Sequence, residues 1–136
     1  MELASLIAWV LTAGGGLVML SIWLRAGGPR QRDRSQIRSV QIFGHFGLAA
    51  SGLVLWIVYF FTDAAAAGWI AFVLLAAAAV AGIIMFFVWA QQRQPGGQAP
   101  TETAEQRFPV PIVAGHGLLA VLTAVLVLLV NLGVGE

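Results

Sequence analysis

The chain has 136 residues, of which 60% are hydrophobic and 10% are charged, and its mean hydropathy is +0.89. Such a composition is typical of a polytopic membrane protein and leaves hardly any chain for a soluble domain. There is no cysteine, which excludes thiol redox chemistry, disulfide exchange and iron–sulfur clusters. The formal net charge is only +1, so the distribution of the charges is more informative than their sum.

Four long apolar runs, at residues 4–24, 40–62, 66–90 and 110–130, follow one another along the chain. Each contains the roughly 20 residues that a helix needs to cross a hydrocarbon core. The pattern predicts an all-α fold, a single four-helix membrane bundle that contacts the lipid bilayer. Residues 91–108 are polar and rich in proline and glycine, and we expect them to form a mobile cytoplasmic linker.

The basic residues lie in only two of the connections between the apolar runs. All seven are arginine, five in the first connection and two in the third: Arg25, Arg30, Arg32, Arg34, Arg38, Arg93 and Arg107. The positive-inside rule therefore predicts that these connections are cytoplasmic and that both termini lie outside. Membrane topology and lipid headgroups account for the arginines, so we expect no binding of nucleic acid.

The two halves of the chain resemble each other. The run GLVMLSIWL at 16–24 and the run GIIMFFVWA at 82–90 share Gly, Met and Trp at the same positions. The run HFGLAASGLVL from His45 and the run HGLLAVLTAVL from His116 share His, Leu, Ala and a final Val-Leu. Shared membrane composition is the alternative explanation. The repeat predicts two similar helical hairpins, related by a pseudo-two-fold axis along the membrane normal.

His45 and His116 are the only residues inside the apolar spans whose side chains ionise near neutral pH. Ionisable groups are costly in a membrane, so they indicate a functional site by default. Helices 2 and 4 run in the same direction, and the histidines lie about 8 and 10 Å from the cytoplasmic ends of their spans. The two rings are thus expected at one depth, as cofactor ligands, as interhelical hydrogen-bonding groups, or as a proton or metal site.

A b-type haem would use both rings, because its iron has axial positions on opposite faces and facing helices can supply one imidazole to each. Small residues near the predicted level of the histidines would leave room for a porphyrin: Ala49, Ala120, Gly16, Gly82, Gly52 and Thr123. Arginines at the same end could bind the propionates, and the candidates are Arg25, Arg38 and Arg107. Small residues alone would suit helix packing equally well.

Other residues of the spans have simpler interpretations. Met19 and Met85 occupy equivalent positions of the repeat, and although methionine can ligate haem iron, we expect them to pack. Four tryptophans near helix ends are interpreted as interfacial anchors: Trp9, Trp23, Trp69 and Trp89.

The contexts GHFG around His45 and AGHG around His116, on four membrane helices, resemble the four-helix membrane cytochromes b, including the haem-bearing anchors of respiratory dehydrogenases. This resemblance implies electron transfer between haem, a quinone and a redox protein partner, with His45 and His116 as axial ligands. Many such proteins have four ligating histidines, whereas two permit only one haem b. The chain has no lysine and is rich in alanine, glycine and arginine, which is similar to proteins from bacteria with GC-rich genomes. We therefore expect a protein of the bacterial inner membrane.

Other enzyme classes are not indicated, because the chain has no HExxH, P-loop, dinucleotide-binding or Ser/His/Asp pattern. No hydrolase or transferase motif is present. The competing interpretation is a non-catalytic subunit of a larger membrane complex, a homo- or hetero-oligomer, in which the histidines serve packing alone.

Overall fold

The computed structural model describes residues 1–31, 35–94, 96 and 103–134. Within these ranges the chain is helical and contains no strand. The α-helices are α1 (Glu2–Arg25), α2 (Ser39–Thr62), α3 (Ala65–Gln92) and α4 (Val110–Asn131). The predicted all-α architecture is confirmed, and each predicted span ends within two residues of a helix end. All four helices are long and apolar enough to cross a membrane.

A two-residue turn joins α2 to α3. Asp63 has a left-handed conformation with φ 52°, and its backbone N–H donates to the carbonyl oxygen of Tyr59 at 2.8 Å. Ala64 is extended and precedes the first residue of α3. This turn, the start of α1 and the end of α4 lie at one end of the bundle, called here the terminal end. The last residues of α1 and α3 and the first residues of α2 and α4 lie at the opposite end, called here the connection end.

The four helices associate as two close pairs. Helix α2 packs along α3 and helix α1 packs along α4, whereas the contacts of α1 with α2 and of α3 with α4 are much less extensive. Large apolar side chains on the outer surfaces, such as Leu17, Val73 and Leu118, are exposed. The surface of the bundle therefore suits contact with lipid.

The apolar core occupies the terminal half of the bundle. Its buried members come from all four helices: Trp9, Trp56, Tyr59, Ala71, Leu75, Val127 and Val130. The indole Nε1–H of Trp56 donates to Ser5 Oγ at 3.1 Å, and the hydroxyls of Thr12 and Thr123 lie 3.1 Å apart. These buried polar groups are paired, so this half is closely packed.

The two hairpins bury equivalent positions. Buried residues of α1 recur 66 positions later in α3, in the pairs Ser5/Ala71, Trp9/Leu75, Thr12/Ala78 and Trp23/Trp89. Buried residues of α2 recur 71 positions later in α4, in the pairs Gly52/Thr123, Trp56/Val127 and Tyr59/Val130. The predicted similarity of the two hairpins thus extends to their packing faces.

Three of the four tryptophans interpreted as interfacial anchors are buried inside the bundle. The exposed fraction is 1% for Trp9, 0% for Trp23 and 7% for Trp89, whereas Trp69 is 42% exposed. Trp9 packs in the core, and the other two lie near the connection end of α1 and α3. The anchor interpretation is therefore wrong for these three, because their helix faces point to neighbouring helices.

The third connection contains a packed segment where a mobile linker was predicted. Residues Ala104–Arg107 form a short 3-10 helix that contacts α1 and α3. Glu105 is fully buried, and its Oε1 accepts hydrogen bonds from Ser35 Oγ at 2.8 Å and Gln92 Nε2 at 3.3 Å. The prediction is wrong for this segment because these bonds fix it. Residues 95 and 97–102 lie outside the described part, as do Arg32 and Arg34.

Replacing Glu105 tests whether it ties these segments together. We expect Glu105→Ala to lower the free energy of unfolding by about 1–3 kcal/mol, because the buried amide of Gln92 loses its acceptor and the hydrogen bond to the half-buried Ser35 is also lost. Glu105→Gln keeps an acceptor oxygen and should lose less. Thermal unfolding of both variants in one detergent, followed by circular dichroism, measures the difference, and equal midpoints for the alanine variant and the wild type would contradict this role.

Candidate functional site

His45 lies near the connection end of α2 and reaches the backbone of α3. Its Nδ1 is 2.8 Å from the carbonyl oxygen of Ala78. A carbonyl oxygen can only accept, so Nδ1 carries the hydrogen and donates it. In the neutral ring, Nε2 then keeps its lone pair and is available to a metal or a proton.

His116 repeats this arrangement in the second hairpin. Its Nδ1 is 2.9 Å from the carbonyl oxygen of Thr12 on α1, so its Nε2 is likewise left with the lone pair. Thr12 is the counterpart of Ala78 at the 66-residue offset, and His116 is the counterpart of His45 at the offset of 71. The two hydrogen bonds are therefore equivalent contacts of the repeat.

A glycine stands beside each histidine ring. A Cβ added to Gly82 would lie 3.2 Å from Cε1 of His45, and one added to Gly16 would lie 3.2 Å from Cε1 of His116. Side chains on a helix lean toward its N-terminus and cover the preceding turn. Glycine leaves that turn open, so each ring can reach the carbonyl four residues earlier. The predicted role of these glycines was close approach at a porphyrin edge; their observed contact is with the histidines.

The two histidine rings face each other across the bundle. Their centroids are 6.1 Å apart, and their planes are inclined at 68°. A metal ion bonded to one nitrogen of each ring at about 2.0 Å would place the two centroids about 6 Å apart. Neither Nε2 has a hydrogen-bond partner in the part of the chain that the structure describes. The observed separation of the centroids is therefore close to that of two imidazoles that share one ion.

The residues around the pair are less buried than those of the core. One ring belongs to the α2/α3 pair and the other to the α1/α4 pair, and these pairs contact each other much less than their own members do. The residues that share the histidine level and the next turn toward either end are half-buried: Gly16, Met19, Gly82, Met85, Ala49 and Ala120. We call this region between the two helix pairs the slot.

Gly52 and Thr123 are placed one layer beyond the slot, toward the terminal end. A Cβ on Gly52 would lie 3.0 Å from Cζ2 of Trp9 and 3.3 Å from the carbonyl oxygen of Ala71, so this glycine accommodates core packing. Thr123 is fully buried and its hydroxyl is paired with that of Thr12. Both predicted cofactor contacts are thus occupied by contacts between helices.

The arginines predicted to bind propionates lie on the surface at the connection end. Arg25, Arg38 and Arg107 are all exposed, and their contact with a cofactor stays a prediction. Arg93 is held differently, because its Nη1 donates to the carbonyl oxygen of Gln106 at 2.9 Å. Its guanidinium carbon lies 5.0 Å from the ring centroid of Trp89, which is a cation–π distance.

Two groups near the connection end were not expected as site residues. The indole Nε1 atoms of Trp23 and Trp89 are buried and have no hydrogen-bond partner. Tryptophan and glycine recur together in the two halves of the repeat, with Gly16 and Gly82 beside the histidines. The interval from glycine to tryptophan is the same in both halves, and it was the only feature of the sequence that singled out Trp23 and Trp89. A position at the membrane interface explained these tryptophans equally well.

No family model matches the chain, and neither a curated relative nor a solved structure with significant similarity was found. The chemistry of the histidine pair therefore rests on its own geometry.

Replacing the glycines with a larger residue tests whether they make room for the histidine rings. We expect Gly16→Leu and Gly82→Leu each to destabilise the protein by about 1–3 kcal/mol, because the Cβ alone would lie 3.2 Å from the ring and the rest of the leucine side chain needs more space. Gly14→Leu is the matched control, since a Cβ there meets nothing within 4 Å. Thermal midpoints in one detergent measure the effect, and a control as unstable as the two slot variants would refute this role.

Proposed function

We propose that this protein is a membrane electron-transfer protein that binds one haem b through His45 and His116. The observation that carries the proposal is the arrangement of the pair. Each Nδ1 is fixed by a backbone carbonyl, each Nε2 is left without a protein partner, and the ring centroids are 6.1 Å apart. Carbonyl bonds of this kind orient metal-ligating histidines and fix the tautomer that binds.

The number of ligands favours haem over a free metal ion. Among the described residues there is no group of three or more His, Cys, Asp or Glu side chains that could hold a metal ion. Zinc sites in proteins use three or four protein ligands. In haem, the porphyrin nitrogens already ligate the iron, so the protein has to supply only one or two further ligands. The two imidazoles would provide these.

The slot is suited to a flat ligand because it separates two helix pairs and receives one imidazole from each side. His45 and His116 would hold the haem through one nitrogen each, and each ring could rotate about its bond to the iron. An angle of 68° between the two ring planes is therefore compatible with both histidines as ligands. Bound haem would supply reversible one-electron exchange. The chain would hold it by the two histidines and surround it with apolar helices, which exclude water and influence its potential.

We further propose that the connection end is cytoplasmic and that both termini lie outside, in a bacterial inner membrane. Five of the seven arginines belong to the first connection, which supports this orientation by the positive-inside rule. The haem would then lie nearer the cytoplasmic face and exchange electrons there with a quinone or a redox protein. A single haem in one half of the membrane does not by itself carry electrons across it. Transfer across the membrane would therefore require a partner subunit.

Two other functions use the same residues. A proton or metal site would use the free Nε2 lone pairs without a porphyrin, and a non-catalytic subunit of an oligomer would use only the carbonyl bonds of the rings. The first would show bound metal, such as zinc or copper, without haem absorbance. The second would show neither and would copurify with larger partners.

The visible spectrum of the full chain tests the haem directly. Protein purified in detergent from haem-replete cells should show a low-spin b-type spectrum and one haem per chain in a pyridine haemochrome assay. A colourless, iron-free preparation that is folded by circular dichroism would rule out the proposal.

Single replacements of the histidines test the ligand assignment. His45→Ala and His116→Ala should each remove one axial ligand, so the low-spin spectrum is lost or becomes high-spin, and added imidazole should restore it in part. Met19→Leu and Met85→Leu are the matched controls in the same slot and should keep the low-spin spectrum. An unchanged spectrum in both histidine variants would exclude these residues as ligands.

A further inference from the structure

A cavity of about 270 Å³ opens at the terminal end of the bundle, and we call it the terminal cavity. Its walls include Tyr59 of α2, Asp63 of the turn, Trp69 of α3 and Asn131 of α4. The volume is several times the roughly 30 Å³ that one water molecule takes up in the liquid. Tyr59 follows His45 along α2 by a rise of about 21 Å, so the cavity is separate from the slot.

The electrostatics of the terminal cavity favour a cation. Asp63 contributes a carboxylate that forms no ion pair with the described residues, and none of the residues that line the cavity is basic. The hydroxyl of Tyr59 donates to Oε1 of Glu2 at 3.2 Å, so a second carboxylate lies behind that ring. The helices α2 and α4 end here and only α3 begins here, and helix C-termini carry partial negative charge.

The polar groups of the cavity are hydrogen-bond acceptors. Asn131 Nδ2 donates to the carbonyl oxygens of Val127 at 2.9 Å and Gly68 at 3.4 Å, which uses both of its hydrogens. Its Oδ1 accepts no hydrogen bond from the described residues and is not among the buried unpartnered atoms, so it is accessible. An amide oxygen and a carboxylate both require donors, and an ammonium group provides three together with positive charge. The rings of Tyr59 and Trp69 add cation–π attraction.

The outer surface of α3 indicates that the cation belongs to a lipid. Trp69 is exposed, and so are Val73 and Val80, four and eleven residues further along the helix. These intervals place the three side chains on one face of α3, which starts at the cavity and continues along the apolar span. The end of a spanning helix lies at the level of the lipid headgroups. A lipid could therefore place its headgroup in the cavity and an acyl chain on this face, which a soluble amine would leave uncovered.

We propose that the terminal cavity binds the headgroup of a phospholipid that carries a primary ammonium group, such as phosphatidylethanolamine. The ammonium group donates hydrogen bonds to the carboxylate of Asp63 and to Oδ1 of Asn131, against the rings of Tyr59 and Trp69. The acyl chains lie along the exposed face of α3. The lipid site shares no residue with the histidine pair, so it stands or falls independently of the haem.

Lipid titration of the full chain in detergent, measured by native mass spectrometry, tests the choice of headgroup. Delipidated protein is titrated with phosphatidylethanolamine, phosphatidylcholine and phosphatidylglycerol that carry identical acyl chains. We expect phosphatidylethanolamine to bind about fivefold more tightly than the other two, because the choline headgroup has no N–H donor and the glycerol headgroup has no positive charge. Equal affinity for all three lipids would overturn the proposal.

Replacing Asp63 tests the carboxylate. Asparagine also tolerates the left-handed conformation at this position, where φ is 52°, so Asp63→Asn removes the charge and preserves the turn. We expect it to weaken phosphatidylethanolamine binding about fivefold and to leave the affinities for the other two lipids unchanged. Unchanged binding of phosphatidylethanolamine would overturn the proposal.

Glu2→Gln is the matched control, because it removes one negative charge at the same end from a residue that does not line the cavity. It keeps an acceptor for the hydroxyl of Tyr59 and should change the affinity for phosphatidylethanolamine by less than about twofold. An equal loss in both variants would overturn the site, because the overall charge of this end would then explain the binding.

A competition experiment separates the lipid from a soluble amine. Glycerophosphoethanolamine has the same headgroup without acyl chains, and at a concentration equal to that of the lipid it should not displace phosphatidylethanolamine. Displacement would show that the cavity recognises the soluble headgroup alone, and the assignment to a lipid would fail.

Discussion

The hydrogen bond from each histidine to a carbonyl of the facing helix is the contact on which the half of the bundle nearer the connection end depends. The acceptors are the carbonyl oxygens of Ala78 and Thr12, at 2.8 and 2.9 Å. Each carbonyl is accessible because the residue four positions later is glycine. At Gly82 and Gly16 a Cβ would lie 3.2 Å from the ring, closer than most Cβ contacts, so any larger residue would have to displace the imidazole from its partner or be displaced itself.

The same contact determines which ring nitrogen has no partner among the described residues. Because Nδ1 donates to the backbone, each neutral ring offers Nε2, and the two rings belong to helix pairs that face each other across the slot. The terminal half is closed by Trp9, Trp56 and their neighbours, whereas the residues around the histidines are half-buried. The bundle thus combines a closely packed terminal half with a half-buried layer of residues around the histidines.

The internal repeat connects these properties. The offsets of 66 residues between α1 and α3 and of 71 between α2 and α4 relate the histidines, the glycines, the carbonyl acceptors and the buried tryptophans. The repeat thus gives each histidine an equivalent backbone acceptor on a different helix pair.

Hydrophobicity and length by themselves determined the four helices, because each apolar run matches a bilayer span and a helix satisfies its own backbone. The histidine pair was predicted from the sequence too, since buried ionisable residues are rare enough to stand out. Only the tertiary structure decided which small residues serve the site: Gly16 and Gly82 contact the rings, whereas Gly52 accommodates Trp9. It also buried Trp23, Trp89 and Glu105, which sequence analysis had placed at the interface or in a mobile linker. The identity of a glycine, tryptophan or glutamate does not tell which neighbouring segment it will contact. That contact is decided only when the helices and connections pack together.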